Sequence, residues 1–465
     1  MSVVPLVPKL DLTPVALAAV RPDHSQEAAL GLVEAGGHVT VFGAPGTGKT
    51  LVAELAAVGA IRSGRRVVVL TPERHVAAEL SARVVRRAGV AIAEQIAVTP
   101  TAFAMTVLRM RAEAVAALPV EEATRAARAY EPQMVTGSEQ MAALADLLEL
   151  DAEEGLPGVI WPPNIPPTTR RLAAFRAELR DLLMRAAERG LDATQLAQWG
   201  EKQNRADWAA AAHFYQAYLD SLVMPGAEDV GLKLDAASMV AGAFQALREW
   251  SEAPPLTGCD AMLEPSSRPR WDLVVVDDYQ EASLALHALV GELATGGSQV
   301  ICLGSPDSAV QGYRGALPSQ LAQTLASPEA GGWQARQTVL EAGWRQGGEL
   351  ARCAEMIRTK VRPGARPSAA NRGEKTATGV AEGVVRTAVA ASEVEAAAVI
   401  ARRLRQAHVL ESVPWNQMAV LTRTAGQVAL LRSALSGAGV PVHVPGSQIL
   451  STDQRAVSAL VAALE

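Results

Sequence analysis

Cysteine is scarce. Cys259, Cys302 and Cys353 are the only three in 465 residues, and no two of them form a CxxC pair. That scatter excludes a disulfide framework and predicts free thiols in a reducing compartment. Positive charge is not in excess either, because the formal net charge is −6. A basic, DNA-coating protein is therefore excluded, and any nucleic-acid contact must come from local patches or backbone amides. Long hydrophobic runs are missing too. No stretch approaches the roughly eighteen apolar residues a membrane-spanning helix needs. The N-terminus is broken by Pro5, Pro8, Lys9, Asp11 and Pro14 and lacks the charged-then-apolar order of a signal peptide. A cytoplasmic protein with no membrane partner is expected. Aromatic residues make up only 4%. What is present is 49% hydrophobic and 20% charged residues, a globular balance over a length that predicts two or three domains.

Patterning along the chain supports an α/β class. His38–Phe42 reads as a short buried strand, followed by a Gly-rich turn and a helix from about Thr50. Arg65–Leu70 reads as a second strand, with helical periodicity over Val76–Val90 and again over 96–117. This alternation predicts a parallel sheet with helices on both faces. From about 111 to 260 the sequence is Ala-, Glu-, Arg- and Leu-rich at helical spacing, broken by Trp161–Pro167, and predicts a helical insertion. Buried strands return at Trp271–Asp277 and Gln299–Leu303. A polar linker is expected over 361–382, then strands at Gly383–Val389 and Met418–Leu421 around a helix at 392–408, with a further helix at 426–437.

Two segments carry chemistry. Gly43, Ala44, Pro45, Gly46, Thr47, Gly48, Lys49 and Thr50 fit GxxxxGK[ST] between a strand and a helix. Glycines there let backbone N–H groups curl around phosphates at a helix N-terminus. Lys49 is placed to reach the β- and γ-phosphates and Thr50 to hold Mg²⁺. The apolar strand ending at Asp277 and Asp278 supplies carboxylates, Asp277 for Mg²⁺ and Asp278 to polarise an attacking water. An apolar strand ending in two Asp is also a common turn signal, and the phosphate loop is what favours the catalytic reading. Nucleotide binding, with ATP and Mg²⁺ as cofactors, follows; the use of the energy does not.

The continuation Asp277-Asp278-Tyr279-Gln280-Glu281 resembles the DExQD signature of UvrD/Rep/PcrA-type superfamily 1 DNA helicases. Further segments resemble that family in the same order. Gln26–Ala29 resembles its adenine-reading Q motif, Thr71–Leu80 its TxTNKAAxEM segment, and Thr99–Ala104 its TFHSFA segment. Gly304–Ala316 resembles GDxxQSIYxFRGA, Leu340–Arg345 resembles LxxNYR, and Gln417–Leu435 resembles the opening of the second motor domain. More loosely, Arg170–Gly200 resembles actinobacterial helicase–nuclease subunits of the AdnAB type.

The resemblance implies a P-loop NTPase fold. A RecA-like parallel-sheet motor domain would be formed by 1–110 and 266–340, a helical insertion by 111–265, and an incomplete second RecA-like domain by 341–465. Gln26 would read the adenine. Trp344 would stack on the base, unless it is an ordinary core Trp. Gln280 belongs to the catalytic set, and Arg345 would be an arginine finger on the γ-phosphate. Thr71, Arg74, Thr99, Phe103 and Tyr313 would face DNA. Plain packing stays open for Phe103 and Tyr313, a solvated helix start for Arg74 and His75, and a structural ion pair for Arg314. The implied activity is ATP-dependent translocation on single-stranded DNA, in double-strand-break end processing. DNA ends and a second helicase–nuclease subunit, making a heterodimer, would be its partners.

Departures from the family pattern fall at catalytic positions. The lytic-water Glu is Asp278, the γ-phosphate-sensing Gln is Ser308, a stacking Tyr is Gln311, and the Asn before the finger segment's aromatic is Gly343. The alternative reading is therefore a degenerate motor that binds ATP and DNA as a scaffold while its partner unwinds. The family's later segments are missing before Glu465, so either a fragment of a longer subunit or a remainder supplied elsewhere is expected.

Overall fold

The computed structural model describes residues 20–90, 95–117, 131–222, 232–250, 268–312, 315–361, 375–376 and 380–444. The chain divides into two compact units, Met1–Val384 and Val385–Glu465.

The first unit is built on a six-stranded sheet in the order β3-β2-β6-β7-β1-β8. Its strands are β1 (Val39–Gly43), β2 (Val67–Leu70), β3 (Ala97–Val98), β6 (Leu273–Val276), β7 (Gln299–Gly304) and β8 (Arg336–Leu340). Every pairing is parallel. All residues of β1, β2, β6 and β7 are buried, because helices cover both faces. Side chains alternate between two cores as the pleat requires. Phe42, Val68, Leu70, Val274, Val276, Val300 and Cys302 enter one. Val39, Val41, Val67, Val69, Leu273, Val275, Ile301 and Leu303 enter the other.

Helices α1 (His24–Glu34), α2 (Lys49–Arg62) and α3 (Arg74–Ala88) build the second core. Glu54 of α2, 2% exposed, lies between Arg83 (3.1 Å) and Arg87 (2.6 Å) of α3. This ion cluster ties together the helix after the phosphate loop and the helix that starts at Arg74. Helix α4 (Pro100–Ala116) lies on the other face, where Phe103 meets Trp271 edge-on at a centroid distance of 4.8 Å.

Between α4 and β6 lies the helical region, with α5 (Gly137–Glu153), α6 (Ala173–Glu188), α7 (Ala193–Lys202) and α8 (Ala206–Leu222). Its own core holds Leu144, Leu148, Leu179, Leu183, Phe214 and Tyr218. Buried Asp151 anchors the Pro-rich stretch, accepting from Leu156 N–H (3.1 Å) and Trp161 Nε1–H (2.9 Å) and pairing with Arg170. Two short strands, β4 (Pro132–Met134) and β5 (Leu232–Leu234), pair in parallel where this region begins and ends. Helix α9 (Ala236–Arg248) follows β5 but packs into the first sheet core through Met239, Val240, Ala243 and Leu247.

Helix α10 (Leu284–Thr295) joins β6 to β7. Beyond β8, the pair β9 (Ala342–Gly343) and β10 (Lys375–Thr376) leads around helix α11 (Gly348–Lys360). Of the linker expected over 361–382, residues 362–374 and 377–379 lie outside the described ones.

In the second unit, α12 (Glu393–Leu410) and α13 (Ala425–Gly437) pack through Ala401, Leu435 and Val440. The two strands expected around α12 are not formed. Gly383 makes a single bridge to Gly348, and 418–421 has no ladder among the described residues. A strand exists only by pairing, so apolar sequence alone leaves Val389 (99%) and Leu421 (93%) exposed. Cys302 and Cys353 are free thiols, as expected; Cys259 lies outside the described residues.

Candidate nucleotide site and the rim beside it

In an all-parallel sheet every strand ends at the same edge, so loops far apart in sequence meet along one rim. The phosphate loop follows β1, Thr71 follows β2, Thr99 follows β3, Asp277 follows β6, Ser305 follows β7 and Glu341 follows β8.

The loop Gly43–Gly48 turns through two left-handed glycines, Gly46 (φ 92°) and Gly48 (φ 86°). Thr47, fully buried, closes the turn by donating its hydroxyl to Ala44 O (2.8 Å). Lys49 folds back over the loop and donates to Gly43 O (2.8 Å) and Ala44 O (3.1 Å). Thr50 donates its hydroxyl to Asp277 Oδ2 at 2.6 Å, so the phosphate loop and the acidic strand end touch.

Those two oxygens are the hard donor set that Mg²⁺ takes, with water and phosphate completing its shell. Burial and the adjacent Asp278 push Asp277 up to about 6, against the Thr50 hydroxyl and Lys49, which lower it. A carboxylate so costly to charge alone suits a place against a cation.

Asp278 sits in the left-handed region (φ 53°, ψ 43°) and starts a 3₁₀ turn, Tyr279–Glu281. Its N–H donates to Asp277 Oδ1 (3.1 Å), and its own Oδ1 accepts from Gln280 Nε2 (3.0 Å). Gln280 Oε1 accepts from Ser305 N–H (3.0 Å), which joins the turn to the loop after β7. Any Cβ at Gly304 would lie 2.9 Å from Gln280 Oε1, so a glycine is needed there for this approach. Ser308 donates to Ser305 Oγ (3.0 Å), and Gln311 donates its amide to Glu73 (3.2 Å).

Gln26 is buried at the start of α1 and its amide is already engaged. It accepts from Asp23 N–H (3.1 Å) and donates to Thr47 O (2.9 Å), bracing the phosphate loop. Trp344 is 47% exposed; its N–H donates to Gly46 O (3.0 Å) and its indole N–H to Asp23 Oδ2 (3.0 Å). Burial raises Asp23, but the bonds from Ser25, Gln26 and Trp344 outweigh it and hold this carboxyl below its ordinary value. Arg345 is exposed beside the loop, and a Cβ at Gly46 would stand 3.3 Å from its Cβ. Asp23 was not among the residues singled out in the sequence. Its signal was present as a capping box, Asp23 three residues before Gln26.

Comparison with known proteins decides what such a site belongs to. A family model described as UvrD/REP helicase N-terminal domain matches residues 23–327, more than half of the chain. The chain belongs to the UvrD/REP helicase family. ATP use and DNA binding go with that helicase domain. No match appears among curated proteins. Among solved structures the chain is similar to VirB4 of Thermoanaerobacter pseudethanolicus, with 13% identity over 70% of this chain and 81% of that one. The TM-score is 0.21, and at that score the likeness carries no weight.

In this UvrD/REP-type domain the residues expected to face DNA divide. Arg74 and His75 are exposed at the start of α3. Thr99 caps α4, accepting from Ala102 N–H (3.3 Å). A groove of about 640 Å³ opens beside it, lined by Thr99, Thr101, Arg180, Arg185 and Gln311 among others. Phe103, by contrast, is 2% exposed against Trp271 and has no ring face to offer a base; the packing alternative is the one observed. Thr71 is 1% exposed, and its hydroxyl has no hydrogen-bond partner among the described residues. Phe103 is turned into the first sheet core by helix α4, which packs that face on the sheet. Tyr313 and Arg314 lie outside the described residues.

Proposed function

We propose that this chain is an ATP-driven motor subunit that moves along single-stranded DNA, acting with a second helicase–nuclease subunit at double-strand breaks. One observation carries the motor reading: the phosphate loop, the Asp277–Asp278 turn and the helix starts at Arg74 and Thr99 share one rim, where Thr50 bonds Asp277 and where Gln280 and Gln311 link the turn and the loop after β7 to the start of α3. Residues 1–110 and 266–340 are taken as one motor domain, 111–265 as its insertion and 341–465 as the start of a second.

The loop amides from Gly43 to Gly48 and Lys49 would hold the phosphates, with Trp344 and Gln26 at the base end. Mg²⁺, when bound at Thr50 and Asp277, neutralises developing phosphate charge. Asp278 orients the lytic water, Gln280 holds Asp278, and Arg345 stabilises charge on the terminal phosphate. Arg74 and Thr99 meet the DNA backbone, which makes the grip sequence-blind. The end-processing role and the partner rest on the likeness of Arg170–Gly200 to AdnAB-type subunits. A second reading, a scaffold with little turnover, is favoured by Ser308, whose hydroxyl is bonded to Ser305.

Steady-state phosphate release with and without single-stranded DNA, beside Lys49→Ala, tests the motor reading. Turnover that DNA stimulates and that the variant loses is expected. Tight ATP binding with no turnover in the wild type would leave the scaffold.

A further inference from the structure

Glu281 ends the turn that begins at Asp278, and its carboxylate faces the loop after β7. Its two oxygens accept separate backbone N–H groups, Val310 at 2.9 Å and Gln311 at 2.8 Å. Val310 is 74% exposed, and among the described residues Ser308 bonds to Ser305. At the near end Gln280 takes Ser305 N–H; at the far end Glu281 takes Val310 and Gln311. The loop is thus fastened at both ends to one three-residue turn.

The far end leads onward. Gln311 donates to Glu73, the residue preceding Arg74 at the start of α3. Holding an acid at Glu281 is electrostatically unfavourable. Burial, Asp278 and Glu73 all raise it, and the two amide donors only partly offset them. A neutral side chain would fit that field better, so the two N–H bonds must account for the acid.

We propose that Glu281 is a positioning residue that locks the loop 305–312 to the turn bearing Asp278, so that the two move as one piece. A shift of Asp278 on nucleotide binding or hydrolysis then reaches Gln311, and through Glu73 the start of α3. This rests on the motor reading above, in which α3 begins at a DNA contact. Glu281 touches neither the nucleotide nor the lytic water; it acts through the turn.

The test compares wild type, Glu281→Ala and Glu281→Gln in the full chain. Two measurements are made: ATP hydrolysis with saturating single-stranded DNA, and amide hydrogen exchange. Glu281→Ala is expected to lower the DNA-stimulated kcat by about tenfold or more, because a misplaced catalytic group loses rate steeply. KM for ATP should shift by less than about threefold, since ground-state binding is untouched. Glu281→Gln keeps a carbonyl oxygen for one N–H and should recover part of kcat. Exchange in Glu281→Ala should quicken at 310–311 and also at 278–280. Wild-type kcat in both variants overturns the proposal, as does faster exchange confined to 310–311. If Glu281→Ala does not fold, as thermal denaturation would show, Glu281→Gln carries the same comparison. A wild type without DNA-stimulated turnover sinks the motor reading instead, and the exchange pattern alone then decides on Glu281.

Discussion

Asp278 combines two features that act in opposite directions. A non-glycine residue at φ 53° pays roughly 1 kcal/mol of backbone strain, and its N–H bond to Asp277 and the Gln280 amide hold it there. Its carboxylate is nonetheless one methylene shorter than the Glu of the family signature, and a misplacement of about 1 Å can cost on the order of a hundredfold. Asp278→Glu is expected to raise DNA-stimulated kcat by about tenfold or more, read by single-turnover hydrolysis. An unchanged or lower rate would mean that the turn already delivers the shorter carboxylate. At this scale the sequence was informative where motif spacing sets a contact: the phosphate-loop Thr50 and the acidic strand end at Asp277 lie in hydrogen-bond contact. It was uninformative where a contact spans the chain. Nothing local says that Phe103 will lie against Trp271, or that Trp344 will reach back to Asp23.

Strands buried on both faces announce themselves as runs of Val, Ile and Leu, which is why β1, β2, β6 and β7 were legible. The two-residue β3, the β4–β5 pair and the packing of α9 on the sheet were not, since each depends on a partner distant in sequence. The same limit explains the strands expected at 383–389 and 418–421. Between elements, one polar contact sets a pH dependence. The ring of His287, on α10, stacks on Trp333 with centroids 4.9 Å apart. Its Nε2–H donates to Gly331 O (2.9 Å), so a neutral ring leaves Nδ1 to accept the Tyr279 hydroxyl (2.7 Å). Burial lowers His287 below its ordinary 6.5, although the Gly331 carbonyl pulls the other way. The unfolded chain then binds the proton more readily than the native one. Stability is full above 6.5 and falls with acidification until the lowered native value is passed. Urea midpoints between about pH 5 and 8 should show this slope, flattened in His287→Gln. The flattening is partial, because burial depresses His38 in the same direction, while Asp277, raised to about 6, adds a slope of the opposite sign below that pH. An unaltered slope in the variant would place the titration elsewhere.

Over the whole chain the charge is −6, an unusual endowment for a protein that binds a polyanion. Among the described residues the cations placed along the DNA-side rim are few, Arg74, Arg180 and Arg185, with helix starts such as that of α4 and backbone amides supplying the rest. Single-strand affinity should fall with salt on a shallow log–log slope, of magnitude no more than about 3, corresponding to roughly four neutralised phosphates. A fluorescence-anisotropy titration across salt concentrations would measure it, and a much steeper slope would reveal a basic surface. The architecture of the first unit has another consequence. Because β4 and β5 pair side by side, the helical region leaves and re-enters the chain through a single doorway, Pro132 facing Leu232 and Met134 facing Leu234. Its length and content can change without moving any strand end that carries the nucleotide site. Evolution is thereby free to exchange what stands beyond that doorway, fitting different accessories to one unchanged engine.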